Sequence, residues 1–166
     1  MPSGFPDYEY FEIPLPVAQG GTGLTQWDGA RVHNSAIQTI PNNADTALTF
    51  DSERYDNGGL HSTTINPSRL TAQKAGKYLI WGCWCLWPSA TGKRFAYLRV
   101  NGATRIATCG AMGSADIVFT DTISALYHLA VGDYVELVLV QFSGGDLISD
   151  VSWNMYPEFA MQWVGP

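Results

Sequence analysis

The chain has 166 residues and a mass of 18.1 kDa, which suits a single domain with a core of its own. Its nine lysines and arginines stand against 15 aspartates and glutamates, for a net charge of -6, whereas a nucleic-acid-binding protein needs a basic surface that displaces counterions from phosphates. No apolar run approaches the roughly 20 residues of a membrane-spanning helix, so we expect neither nucleic-acid binding nor membrane insertion.

Residues 1–29 differ from the rest of the chain and are predicted to form an extended arm. Four prolines fix φ and remove amide donors: Pro2, Pro6, Pro14 and Pro16. A flexible joint follows them, made of Gly20, Gly21, Thr22 and Gly23. The arm also carries apolar side chains that a purely solvated tail would lack, namely Phe5, Tyr8, Tyr10, Phe11 and Ile13. We therefore predict an anchoring arm that docks on a partner.

The acidity of the chain is concentrated in this arm. Residues 1–30 contain no lysine or arginine, and they hold the acids Asp7, Glu9, Glu12 and Asp28. These four side chains contribute -4 of the net charge of -6. An acidic arm favours a basic groove as its partner, and salt should weaken that docking.

Residues 30–166 are predicted to form one head domain of short strands. Its apolar runs are rich in Val, Ile, Thr and aromatic residues, and none shows a helical period. Asn101-Gly102, between two alternating runs, predicts a type I′ hairpin turn. About ten strands in a chain of this length predict an antiparallel β-sandwich. The predicted strands are residues 30–40, 47–52, 69–72, 77–87, 95–100, 104–109, 117–122, 127–130, 134–142 and 159–164.

Two stretches of the head domain carry a family resemblance. The first comprises residues 47–56, His61, 69–71 and 76–80, and the second is the Gly-Asp-x-Val-x-Leu run of residues 132–137. Both resemble the globular-head domain of the complement component q and tumour necrosis factor-like superfamily over residues 30–165. Two departures are aliphatic Leu70 and Ile80 in place of aromatics, and residues 159–165 in place of the closing Phe-Ser-Gly strand. The resemblance implies a core signature of Phe50, Leu70, Gly76, Tyr78, Ile80, Gly132, Val135 and Leu137.

A second resemblance points to bacteriophages. The joint at residues 19–23 is similar to one in tail-fibre and related virion proteins, and residues 30–35 and 40–43 resemble the phage-encoded branch of the same jelly-roll group. The secreted animal proteins of this superfamily would usually carry a collagen-like stalk, and no Gly-x-y repeat occurs here. The resemblance implies a ten-stranded jelly roll that assembles as a compact homotrimer in a virion built in the host cytoplasm.

The predicted strand at residues 77–87 is apolar on both faces. Alternation places on one face Tyr78, Ile80, Gly82, Trp84 and Leu86. A strand in a two-layer sandwich has one core face, so its second apolar face needs another cover. Given the implied trimer, we predict that the subunit contact contains Trp81, Cys83, Cys85 and Trp87. The alternative is that loops or the arm of the same chain cover this face.

The sequence offers weak signals for catalysis or metal binding. A zinc site would have to draw on Cys83, Cys85, His33, His61 and His128, which lack the paired spacing of structural zinc motifs. No Gly-x-Ser-x-Gly motif is present, and Ser143 lies in a predicted turn without a base. The carboxylate pairs are Asp51 with Glu53 and Asp146 with Asp150, at strand ends or turns where solvated acids are ordinary. We predict no enzymatic activity and no cofactor, with calcium kept as a minority alternative.

Taken together, these patterns predict a non-enzymatic virion structural protein. The trimeric head would be attached through the arm to other virion proteins, as a capsid decoration, a head fibre or a tail-tip component. The alternative is a receptor-binding tip whose loops at residues 89–93 and 110–115 recognise a glycan or protein of the host surface.

Overall fold

The computed structural model describes residues 27–151 and 157–166, which form twelve β-strands. The predicted arm therefore lies almost entirely outside the described residues, including all eight of its predicted anchoring residues. The strands are β1 (Gly29–His33), β2 (Gln38–Ile40), β3 (Thr46–Ala47), β4 (Ser52–Asp56), β5 (Arg69–Thr71), β6 (Gly76–Leu86), β7 (Lys93–Val100), β8 (Thr104–Met112), β9 (Phe119–Leu129), β10 (Tyr134–Gln141), β11 (Leu147–Ser149) and β12 (Glu158–Gly165).

Two five-stranded sheets pack face to face. The first sheet has the order β4-β1-β12-β6-β9. The second has the order β3-β10-β7-β8, with β5 also paired to β10, and β2 and β11 form a short ribbon. All pairings between these named strands are antiparallel. The predicted all-β antiparallel sandwich is confirmed.

Side chains from the inner faces of both sheets form one core. β6 contributes Tyr78, Ile80, Trp84 and Leu86, which are all buried. From the opposing sheet, β10 contributes Val135, Leu137 and Leu139. Two aromatic pairs pack within this core. The ring centroids of Trp84 and Phe119 lie 4.9 Å apart, and those of Phe50 and Phe159 lie 5.7 Å apart. The six apolar members of the core signature are all within this cluster: Phe50, Leu70, Tyr78, Ile80, Val135 and Leu137.

Strand boundaries differ from the sequence-based prediction in several places. Residues 48–51 of the predicted strand 47–52 form the connection between β3 and β4, and neither β4 beyond Ser52 nor β11 was predicted. The predicted strand 30–40 is divided into β1 and β2, because the Asn34 side chain donates to the carbonyl of Ala36 and turns the chain. The predicted strands 117–122 and 127–130 are one strand, β9, which pairs with β6 along its whole length. Polar and small residues at the centre of β9, such as Ser124, hide this continuity in the sequence.

The turn predicted at Asn101-Gly102 is confirmed. Both residues have positive φ, 51° and 70°, and the amide of Ala103 donates to the carbonyl of Val100 at 3.0 Å. The Asn101 side chain donates to Asp133 Oδ1 at 2.7 Å and accepts a bond from the amide of Tyr134 at 2.9 Å. These bonds fasten the β7-β8 hairpin to the turn before β10, and the bond from Asn101 holds the pKa of Asp133 below its usual value.

None of the described residues belongs to a helix with the length and hydrophobicity needed to cross a bilayer.

Candidate functional site

The first sheet turns one side away from the core, and this outward face has an apolar centre. On β6 the outward side chains are Leu79, Trp81 and Cys83, as the alternation with the buried residues requires. Strand pairing sets Leu126 of β9 opposite Leu79, and Ala160 of β12 opposite Trp81. We define these five residues as the outward patch.

Solvent reaches the outward patch in the single chain. Leu79 is 49% exposed and Leu126 is 63% exposed, although the two leucines are cross-strand neighbours. Single exposed leucines are common on protein surfaces, whereas contiguous apolar patches mark sites of association. The outward patch is therefore a candidate contact surface for another protein chain.

A charged cluster borders the outward patch on the side of β1 and β4. Glu158 is buried, and its Oε2 accepts hydrogen bonds from Arg31, with Nε at 2.7 Å, while its Oε1 accepts from Arg54 Nη2 at 3.1 Å. Two guanidinium groups thus offset the cost of burying one carboxylate and leave a net positive cluster. The Arg31 guanidinium also lies 5.6 Å from the ring centroid of Trp81, which joins the cluster to the patch. Burial, and then the charge of Arg54, lower the pKa of nearby His33.

The structure separates the four residues predicted for the subunit contact. Trp81 and Cys83 lie on the outward face, half-buried in the single chain. Cys85 also points outward, but in the single chain the segment after β11 covers it, and a subunit contact there stays a prediction. Its Sγ donates to the carbonyl of Asp150 at 3.0 Å, and burial raises the pKa of the thiol to about 11. Trp87 is 47% exposed beyond the end of β6.

Sequence reasoning missed most of the residues around Trp81. Leu126 escaped because its strand was divided in two, and continuous alternation through β9 would have placed it on the outward face. Glu158 and Arg54 escaped because they are 104 positions apart, so no local pattern joins them. A buried carboxylate is visible only once its partners from distant strands are known.

The second candidate site is the end of the sandwich where β6 ends and β7 begins, called here the loop end. It holds both loops predicted for recognition, which contact each other. The amide of Ser89 donates to the carbonyl of Ser114 at 2.8 Å, and that of Gly113 donates to Gly92 at 2.9 Å. β1 starts at the opposite end, since Gly29 pairs with Gln162 beside the beginning of β6. The described chain therefore starts at the end of the head that lies away from these loops.

Arg94 fixes the shape of the loop end from beneath. Its side chain is buried, and its guanidinium donates to three carbonyls at 2.7 to 2.9 Å, those of Ser89, Thr91 and Gly92. Burial lowers the pKa of this arginine. Gly92 has φ of 79°, and a Cβ atom there would lie 1.8 Å from the carbonyl oxygen of Phe142, so only glycine fits. The loop is thus held rigidly, and exposed apolar side chains surround it: Ile37, Trp87, Met112 and Ile117.

The candidate metal and catalytic residues are not assembled into a site. Within residues 27–151 and 157–166, no group of three or more His, Cys, Asp or Glu side chains is placed to hold a metal ion. His61 contacts Glu53 at 2.9 Å and the carbonyl of Pro67 at 3.2 Å. The Asp51 carboxylate is bonded by Ser35, and the Ser143 hydroxyl donates to the carbonyl of Gly145 at 2.9 Å. These side chains therefore stabilise turns.

Several solved structures have the same fold. The globular domain of zebrafish complement 1qA protein aligns with a TM-score of 0.61 and 14% identity, covering 82% of this chain and 97% of that one. Murine APRIL at pH 8.5 aligns with a TM-score of 0.64 and 10% identity, covering 84% and 100%. The Eiger TNF of S. frugiperda aligns with a TM-score of 0.60 and 12% identity, covering 84% and 93%. No protein-family model and no curated protein sequence matches the chain. The head domain thus has the jelly-roll fold of complement globular heads and tumour necrosis factor-like proteins.

Proposed function

We propose that this protein is a non-enzymatic structural protein of a tailed-phage virion. Three copies of the head form a homotrimer, and the arm of residues 1–29 attaches the trimer to the particle as a capsid decoration, head fibre or tail-tip component. The exposed outward patch carries the proposal, because a jelly-roll sheet with an apolar outer side needs a second cover. The virion assignment rests on the resemblance of the joint at residues 19–23 to those of tail-fibre proteins.

A second copy of this chain is the cover that fits the outward patch best. The patch lies at the centre of a five-stranded sheet and is bordered by Glu158, Arg31 and Arg54, so it has the apolar centre and polar border of a stable interface. A stable contact buries about 800 Å² on each partner, so the interface must extend from the outward patch to the charged residues around it. The fold resemblance supports a closed ring of three such contacts.

The arm is proposed to anchor the head, and deleting residues 1–23 tests this role. We expect the truncated protein to remain a folded trimer and to be lost from assembled particles, because the head contact lies on the sheets while the arm leaves from the start of β1. The measurement is the amount of protein in purified particles, compared with the full chain carrying the same tag.

The truncation removes both the length and the charge of the arm, and a variant that changes only the charge separates the two. Replacing Asp7, Glu9 and Glu12 with Asn, Gln and Gln keeps the arm intact, and we expect weaker docking that depends less on salt. Incorporation of the truncated head at the level of the full chain would contradict the anchoring role.

Recognition of the host surface is the second candidate function, and the loop end favours it. Buried Arg94 holds a rigid loop there, with exposed Trp87 and Met112 beside it, and the arm leaves from the opposite end. If this candidate is correct, purified head will compete with phage for adsorption, and the double variant Trp87→Ala, Met112→Ala will compete less. Unchanged adsorption at saturating head protein would count against it.

A further inference from the structure

The second sheet also has an outward side, and a pocket of about 310 Å³ opens there. β7, β8 and β10 form its floor, and the segments at Asn43 and Phe142 form its rim. This volume lies at the lower end of the range of ligand pockets, about 300 to 1,000 Å³, which suits one small ring. We call it the outer pocket. All of its residues come from one subunit, and it lies on the other sheet from the outward patch.

One wall of the outer pocket is aromatic. The rings of Phe95 and Phe142 meet edge to face, with centroids 6.2 Å apart and an interplanar angle of 83°. Phe142 is 41% exposed, and buried Val140 lies beneath the rings. The negative face of an aromatic ring attracts the positive edges of C-H groups. The wall therefore favours a ligand with an apolar face of C-H groups.

The opposite wall is polar and holds paired charges. Asp45 Oδ2 accepts bonds from the hydroxyl of Tyr97 and from Arg105 Nη2, the latter at 3.4 Å. The Arg105 guanidinium lies over the Tyr97 ring, 3.9 Å from its centroid, and lines the pocket while Tyr97 is buried. Asp45 Oδ1 has no hydrogen-bond partner among the described residues, and neither has the Asn43 side-chain amide.

We propose that the outer pocket binds one residue of a neutral saccharide. A pyranose ring has a face of C-H groups for Phe95 and Phe142, and its vicinal hydroxyls both donate and accept hydrogen bonds. Asp45 accepts from one hydroxyl while Arg105 donates to the next, and their opposite charges leave no net charge to attract an ion. The biological role of this site rests on the receptor-binding candidate above, whereas the binding chemistry needs a single subunit alone.

Titration of the intact protein with monosaccharides tests the proposal. The probes are glucose, galactose, mannose and N-acetylglucosamine, with glucuronic acid as the charged comparison, and the readout is the set of amide chemical shifts by NMR. We expect at least one neutral sugar to shift the amides of Phe95 and Arg105 with a Kd on the order of 1 to 10 mM, since a ligand this small has little binding energy. Glucuronic acid should bind no more tightly than glucose.

Two pocket variants and a control locate the binding. Phe142→Ala should weaken binding at least about threefold, because it removes one aromatic face. Thr108→Trp fills the pocket and should abolish binding, whereas Val131→Ala, at the exposed turn before β10, should leave it unchanged. The proposal is overturned if no neutral sugar shifts these amides, if glucuronic acid binds more tightly than glucose, or if Thr108→Trp binds like the wild type. The mass of each variant in solution reports on the trimer separately, and the incorporation assay reports on the arm.

Discussion

The variant Leu126→Glu is expected to be a folded monomer. Leu126 is 63% exposed in the single chain, so the substitution costs the subunit fold little. In the trimer this side chain would lie in an apolar contact, where burying an unpaired carboxylate costs several kcal/mol. The substitution also removes the stabilisation of about 1.5 to 3 kcal/mol that burying the leucine side chain would give. The penalty applies at each of three equivalent contacts, so dissociation should be complete at micromolar concentration.

Light scattering on a size-exclusion column and circular dichroism measure this outcome together. The matched control is Ile65→Glu, which places the same charge at an equally exposed position between β4 and β5. We expect Ile65→Glu to keep the trimer mass of the wild type. We expect Leu126→Glu to keep the β-sheet spectrum of the wild type but to have the mass of one chain. If Leu126→Glu keeps the wild-type mass, the outward patch is not the subunit contact.

Replacing Arg94 with alanine is expected to have the largest effect at the loop end. The substitution removes three hydrogen bonds to carbonyls and leaves a space beneath the loop. Hydrogen bonds from charged donors contribute about 1.5 to 3 kcal/mol each. The Arg94 guanidinium is buried against neutral carbonyls, so the cost of its desolvation offsets part of this gain. We expect a net loss of about 3 kcal/mol in the free energy of unfolding.

Hydrogen exchange distinguishes local support of the loop by Arg94 from a general effect on the stability of the fold. Hydrogen exchange at residues 89–92 should accelerate more than exchange in the core strands, because the loop loses its support first. Lys93→Ala is the matched control, since its side chain is the exposed cation next to Arg94 and should change stability by less than about 0.5 kcal/mol. Equal exchange of the loop in Arg94→Ala and in the wild type would show that the guanidinium does not support it.

The fold class and the hairpin turn were predictable because their signals are local. Alternation in strand 77–87 identified both of its faces, and Asn101-Gly102 fixed a turn by the φ angles that it tolerates. The cover over Cys85 was not predictable, because β11 reaches β6 from more than 60 positions away. The pocket at Asp45 and Arg105 was likewise invisible, since the two residues are 60 positions apart and Asp45 lies in the connection before β3.

The proposed subunit contact and the proposed saccharide site lie on different sheets of the head. The first sheet exposes Leu79 and Leu126 without polar partners, which favours a permanent contact with another chain. On the second sheet, Glu136 is buried between Arg69 and Arg99, and Asp45 pairs with Arg105. A trimer formed through the outward patch would therefore leave the outer pocket accessible.

The mass of the full chain in solution tests the central claim most directly. Multi-angle light scattering on the purified protein is predicted to give three times the chain mass of 18.1 kDa, with no change on dilution through the micromolar range. A mass equal to that of one chain would contradict the account, because the apolar outward patch would then remain exposed to water in the native protein.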